Sequence, residues 1–310
     1  MIDQIRGLHH VTSLAGDANA NNAFFTKTLG LRRVKKTVNF DAPEVYHLYY
    51  GDEAGTPGSV MTYFPFGQTP PGRRGIGEVG VTEFAVPKGS LRYWKERLST
   101  HGATGLSEDS AFGADRLLFD GPDGDSFALV EDALRGRMPW TGGDVPEETG
   151  VLGFHGARFR LRDAAATGEL LEFMGYQKAE TTGNLTRYVI EGGNPADTID
   201  IEAIPTARVA SQGAGSVHHI AFAVENRAAQ LEVRKALMDT GYQVTPVIDR
   251  DYFWAIYFRT PGGILFEVAT NEPGFDRDED TAHLGEALKL PTRYEPIRSR
   301  IEAGLVPISD

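Results

Sequence analysis

One unit of sequence recurs four times along this chain, and a recurring unit restricts the fold more than any local propensity does. The run Gly77-Glu78-Val79-Gly80-Val81-Thr82-Glu83-Phe84-Ala85-Val86 lies over Gly215-Ser216-Val217-His218-His219-Ile220-Ala221-Phe222-Ala223-Val224. Each reads as a short strand followed by a helix-like segment, at 91–98 and 231–237. Matching the Pro-x-Gly turns downstream then lays 119–130 over 257–268. Gly7-Leu8-His9-His10-Val11 likewise matches Gly153-Phe154-His155-Gly156-Ala157, and each precedes an Asp, a helical stretch and a glycine turn at 29–31 or 174–176. The pattern predicts four βαβββ modules beginning near residues 7, 77, 151 and 215. The aperiodic Gly- and Pro-rich stretch 135–146 reads as a linker, which predicts an α+β chain of two tandem domains, 1–145 and 146–310, with two modules in each.

The copies differ where chemistry would sit. Gly263-Ile264-Leu265-Phe266-Glu267-Val268 carries a carboxylate inside an apolar run. Burying an unpaired charge costs several kcal/mol or forces neutralisation, so a cationic partner is expected, and a bound metal is one. The doublets His9-His10 and His218-His219 supply imidazoles. At the position of His219 the second module has Val81, at that of Glu267 it has Ala128, and at that of His10 the third has Gly156. Modules one and four alone can therefore form a site. Two imidazoles and one carboxylate make the ligand set of non-heme Fe(II) oxygenases, which leaves one face of the ion open. Neighbouring strand residues point to opposite faces, so one histidine of each doublet faces a given cup unless a bulge brings both to one side. Alternation alone leaves the choice between them open.

Composition narrows the chemistry further. The chain has no cysteine, which removes disulfides, thiol nucleophiles, iron–sulfur clusters and Cys-type zinc sites. A net charge of −12 argues against nucleic acid and anionic membrane as partners. No apolar run approaches the length of a membrane span, and residues 1–8 are too short and polar for a signal peptide, so a cytoplasmic protein is expected.

Beyond the modules, several motifs carry a resemblance: Tyr46-His47-Leu48-Tyr49-Tyr50-Gly51-Asp52, Gly55-Thr56-Pro57-Gly58, Phe64-Pro65-Phe66, Lys35-Lys36-Thr37-Val38 and Glu272-Pro273-Gly274-Phe275. From residue 7 to about 270 the chain resembles the vicinal oxygen chelate (glyoxalase/bleomycin resistance/extradiol dioxygenase) superfamily, and within it the dioxygenases that open (chloro)hydroquinones. The resemblance implies open β cups built from paired modules, and Fe(II), or Mn(II), held by the later histidine of each doublet, His10 and His219, with Glu267. It implies His9, Thr12, His218, Arg250 and Tyr257 as catalytic surroundings. It further implies a hydroquinone- or catechol-type substrate and O₂, with His218 or His9 as acid/base and Tyr257 donating to a developing charge. A homo-oligomer is allowed.

Other readings of the same residues compete. Arg250 follows Asp249 and reads equally as an exposed ion pair or as a cation near substrate oxygens. Tyr257 could be core, but the turn at 260–263 returns the chain antiparallel and brings it beside Glu267. His155 competes with His10, one residue out of register. His47, His101 and His283 lack ligand neighbours and read as surface or core. The acidic run 276–280 reads as a solvated face and 295–303 as a short helix packing back on the body. A glyoxalase-type isomerase or lyase would need a second carboxylate opposite Glu267, and the strand at 58–63 offers none. A metal-free drug-binding resistance protein has no use for the His/His/Glu set.

Overall fold

A computed structural model describes residues 1–309, and it contains the four modules. The first supplies β1 (Leu8–Ala15), β2 (Arg32–Asn39), β3 (Ala42–Gly51) and β4 (Val60–Pro65), and the second β5 (Glu78–Pro87), β6 (Thr104–Ala111), β7 (Ala114–Asp120) and β8 (Ser126–Asp132). The third supplies β9 (Phe154–Leu161), β10 (Gln177–Thr182), β11 (Leu185–Val189) and β12 (Thr198–Ala203), and the fourth β13 (Val217–Val224), β14 (Ile248–Asp249), β15 (Phe253–Arg259) and β16 (Leu265–Pro273). A helix follows the first strand of each: α1 (Ala18–Ala23), α2 (Leu91–Thr100), α3 (Ala165–Phe173) and α4 (Arg227–Asp239). Helix α4 illustrates the local logic. Asn226 caps it by accepting from the Ala229 N–H, and Val233 and Leu237 are buried. Gln230 enters the core because its amide donates to the carbonyls of Trp254 and Val268.

The strands form two eight-stranded sheets, ordered β14-β15-β16-β13-β1-β4-β3-β2 and β10-β11-β12-β9-β5-β8-β7-β6. The first module thus shares a cup with the fourth, and the second with the third. Residues 1–145 and 146–310 are halves of the sequence; each cup draws one module from each half. The reason is the seam: β1 lies antiparallel to β13, with Leu8, Val11, Ile220 and Phe222 fully buried around it. No helix among the described residues is long and apolar enough to cross a membrane.

Both doublets sit at β-bulges. On β1, Leu8 opposes Phe222 and His10 opposes Ala221, which leaves His9 as the extra residue. On β13, His219 opposes Thr12 and Val217 opposes Ser13, which leaves His218 extra. The other cup repeats the bulges at His155 and Gly80. A bulge re-aims side chains that strict alternation would send to opposite faces.

The second cup is filled instead of open to chemistry. Gly156 takes the place of His10, and a Cβ there would lie 2.1 Å from the Thr198 carbonyl oxygen, so no side chain fits. Val81 and Ala128 form a small apolar cluster. Around it Glu83, Arg116 and Arg158 pair in the interior, and Asp109 holds Arg116 by two 2.8 Å bonds. His155 turns to Asp132, 3.4 Å away, and is no rival to His10.

The acidic run is largely exposed, as expected, but two of its carboxylates also serve the interior. Lys35 is fully buried, with its ammonium 2.7 Å from Asp278, 2.5 Å from Glu279 and 4.7 Å from the centre of the Tyr252 ring. A cation in the core needs such partners, and this one recruits them from the C-terminal segment. The chain then continues through a 3₁₀ segment, Thr292–Ile297, whose Tyr294 hydroxyl donates to the Phe40 carbonyl, into α5 (Arg298–Gly304), anchored by buried Ile301.

Candidate metal centre

His10, His219 and Glu267 converge as donors in the first-and-fourth cup. One ligand atom from each lies within 4.8 Å of the others, and all three side chains are buried. The register explains the meeting: β13 lies between β1 and β16, with Ala221 opposite both His10 and Glu267. Glu267 Oε2 stands 2.9 Å from His219 Nε2 and 3.4 Å from His10 Nε2, and the two Nε2 atoms are 3.3 Å apart. Yet neither carboxylate oxygen has a hydrogen-bond partner, although both are buried. Burial alone would push this carboxyl up, but the facing imidazoles outweigh it and hold it well below the usual carboxylate range. A buried carboxylate without a hydrogen-bond partner, crowded by two imidazole nitrogens, fits a shared cation, and the chemistry of the set suits a divalent ion.

Hydrogen bonds behind His10 and His219 orient them. His9 Nε2 is 3.1 Å from the Thr270 carbonyl, so it must donate. Burial, with His10 beside it, pushes His9 down to about 3, so the ring is neutral and its Nδ1 is an acceptor. That Nδ1 is 2.9 Å from His10 Nδ1, which therefore donates to it, with the His10 Nε2 turned toward Glu267. The second doublet repeats the contact, with 2.8 Å between the Nδ1 atoms of His218 and His219. Burial and the neighbouring His219 push His218 down to about 4. Each doublet thus sets a candidate ligand beside the histidine that hydrogen-bonds it, which a bulge permits and alternation alone does not.

The ligands open onto a cavity of about 520 Å³ walled by Leu14, Phe40, Phe64, Phe66, Phe253 and Leu265. Tyr257 and Arg250 line it as expected. Tyr257 stands opposite Glu267 in the antiparallel pair formed by the turn at 260–263, edge-on to the His219 ring at 5.6 Å. Its phenol, pushed well above its ordinary value by burial and then by Glu267, lies 3.3 Å from Arg250 Nε. Arg250 pairs with Asp41 at 3.2 Å and not with Asp249. His218 also lines the cavity.

Two expected catalytic residues do not reach it. His9 lies behind His10 against Phe253 and the Thr270 carbonyl, so it hydrogen-bonds His10 and does not line the cavity. Thr12 is fully buried and bonds Thr62 at 2.9 Å behind the cavity wall. In the other direction, His47 is neither surface nor inert core: with Tyr49 it lines the cavity, 2.7 Å from both the Tyr49 hydroxyl and Thr62 Oγ1. Its signal in the sequence was the alternation His47, Tyr49 on one face of a strand. His101 and His283 lie outside the cavity.

Residues 139–268 match the family model described as the Glyoxalase/Bleomycin resistance protein/Dioxygenase superfamily. A Bacillus subtilis (strain 168) protein that carries the provisional name ring-cleaving dioxygenase MhqO is 41% identical over 308 residues, 99% of this chain and 98% of that protein. The chlorohydroquinone/hydroquinone 1,2-dioxygenase of Sphingobium indicum is 34% identical over 309 residues, 96% of this chain and 95% of its own. Among solved structures, a provisionally named dioxygenase from Bacillus subtilis superposes with a TM-score of 0.95 at 40% identity, covering 99% of this chain and 98% of that one. Glyoxalase I from Zea mays, at 14% identity and a TM-score of 0.62 over 86% of this chain and 92% of that one, shares the fold.

Proposed function

We infer the reaction from this premise: the chain belongs to the glyoxalase/bleomycin resistance protein/dioxygenase superfamily and, within it, to the ring-cleaving dioxygenases. Its substrate is a hydroquinone- or catechol-type aromatic, opened with O₂ in the extradiol manner, and its metal is Fe(II), with Mn(II) as the second choice. The observation that carries this reading is the convergence of His10, His219 and Glu267 donor atoms at the base of an aromatic-walled cavity. Bound there, Fe(II) supplies positive charge that eases loss of a ring-hydroxyl proton, and a face open to substrate and O₂.

The chain's own residues do the rest. Phe40, Phe64 and Phe253 clasp a planar ring and exclude water. Tyr257, kept protonated, donates to an oxygen on which charge develops, and Arg250 orients that hydroxyl while adding positive charge. His218, the one orienting histidine that lines the cavity, offers Nε2 as a proton carrier. The isomerase alternative is disfavoured because the only metal-competent His/Asp/Glu group among the described residues has a single carboxylate. A metal-free binder leaves the buried Glu267 oxygens without a partner.

The test is oxygen uptake by anaerobically purified, Fe(II)-loaded protein against a panel of hydroquinones and catechols. Consumption with a ring-opened product is expected, and none with any ring would overturn the reading. Replacing Tyr257 with Phe is expected to lower turnover by about one to two orders of magnitude at unchanged metal content, as for loss of one oxyanion donor. Wild-type rates would make Tyr257 mere packing, and loss of the metal would make it a ligand.

A further inference from the structure

A row of four polar side chains crosses three neighbouring strands of the metal cup. Thr12 on β1 stands opposite His219 on one side and Thr62 of β4 on the other, and Thr62 stands opposite Tyr49 of β3. His47, two residues before Tyr49, shares its face. The side chains are hydrogen-bonded end to end: Thr12 to Thr62 at 2.9 Å, Thr62 to His47 Nε2 at 2.7 Å, and His47 Nδ1 to the Tyr49 hydroxyl at 2.7 Å. Every member can donate and accept. The row therefore has two self-consistent directions. In one, Tyr49 donates to His47, His47 to Thr62 and Thr62 to Thr12. In the other, which is the other tautomer of neutral His47 with its proton on Nδ1 in place of Nε2, all three bonds reverse, and the Tyr49 hydrogen is free for a different acceptor.

The second cup shows what the same positions hold when they only fill space. Gly156 opposes Thr198 as His10 opposes Val60, which makes Arg158, Asp200 and Arg187 the counterparts of Thr12, Thr62 and Tyr49, and Leu185 that of His47. There Arg187 grips Asp200 through two 2.8 Å bonds. A guanidinium only donates and a carboxylate only accepts, so that arrangement has one direction. The metal cup has a reversible row in its place, and the end formed by His47 and Tyr49 lines the cavity with His10, His219, Glu267 and Arg250.

We propose that the Tyr49 hydroxyl, its hydrogen-bond direction set by His47, recognises the ring hydroxyl of the substrate that is not held at the metal centre. The proposal rests on the ring-cleaving reading of this cavity. Toward a neutral ring hydroxyl that donates, Tyr49 accepts and turns its own hydrogen to His47. Toward an ionised ring oxygen the tautomer with the His47 proton on Nδ1 is selected and Tyr49 donates, so the same site holds the substrate in both states. His47 acts through Tyr49 and is a positioning residue. A site built this way rejects a ring that lacks the second hydroxyl, because its own polar groups are then left unpaired.

The experiment compares anaerobic binding of hydroquinone and of 4-methylphenol to the metal-loaded protein by calorimetric titration. Wild type is expected to favour hydroquinone by about tenfold, and both Tyr49→Phe and His47→Leu to reduce that preference to about twofold or less. Metal content and 4-methylphenol affinity should stay unchanged, which a loss of general packing would not allow. Leucine is the residue the other cup carries at this position; if His47→Leu nevertheless fails to load metal, Tyr49→Phe, which removes a single oxygen, decides alone. A preference that survives Tyr49→Phe overturns the proposal, as does a wild type without preference. If hydroquinone is consumed but the preference survives, this inference alone fails. If wild type binds neither phenol and consumes no oxygen with any ring, the ring-cleaving reading fails and the inference with it.

Discussion

Replacing Glu267 with alanine is expected to reduce divalent-metal content from about one per chain to almost none and to abolish ring cleavage, while the protein remains folded. The carboxylate is the only anionic donor of the group, and without it two imidazoles remain on neighbouring strands. Folding should survive for a reason internal to the chain. Ala128 occupies the matched position on β8, opposite Glu83 as Glu267 is opposite Ala221, and is fully buried in a well-formed cup. The substitution also removes a buried carboxylate that has no hydrogen-bond partner in the protein. Metal analysis and thermal unfolding on the same samples check this. The comparison belongs between metal-free forms, because a ligand that binds only the native state raises apparent stability by mass action. Retained metal would remove Glu267 from the ligand set, and collapse of the metal-free variant would make its role structural.

The same matched positions explain how much could be read before any coordinates. The modules were legible because a repeat is a pattern of the chain itself, and the candidate donor group because His10, His219 and Glu267 interrupt apolar or glycine positions of their counterparts. Which modules share a cup was legible only indirectly, through the need for the three ligands to meet. Pairing of β1 with β13 joins strands about two hundred residues apart and leaves no local signature. The bulges were also hidden, since an extra residue such as His9 or His218 looks like any other strand residue until its partner strand is known. His47 was passed over because its partners are not sequence neighbours of ligand type: Thr62 reaches it across the β3–β4 pair. The inward pairing of the acidic run was hidden for a related reason, as its counter-charge Lys35 lies in the first module.

That buried pair gives the second large effect. Converting Asp278 to Asn and Glu279 to Gln together is expected to destabilise the protein by about 3 kcal/mol, because the Lys35 ammonium, with no exposed side-chain surface, is left without a counter-charge. The low end of the range applies, since Asp278 is itself 35% exposed and partly hydrated. Adding Lys35→Met to the double variant should restore most of the loss, since a buried pair can be replaced by an apolar side chain of similar length at little cost. The effect should reach the cavity. Phe275, just before the acidic run, lies 5.1 Å from the Tyr49 ring and stacks on Tyr252 at 5.4 Å, and Tyr252 donates to Asp278. Loosening the segment thus loosens the wall that carries Tyr49. Denaturant unfolding of the three proteins measures the first part, and the Michaelis constant for an active hydroquinone the second, which should rise in the double variant and recover in the triple. A double variant as stable as wild type would mean that Lys35 finds water on its own and that the C-terminal segment only rests on the cup.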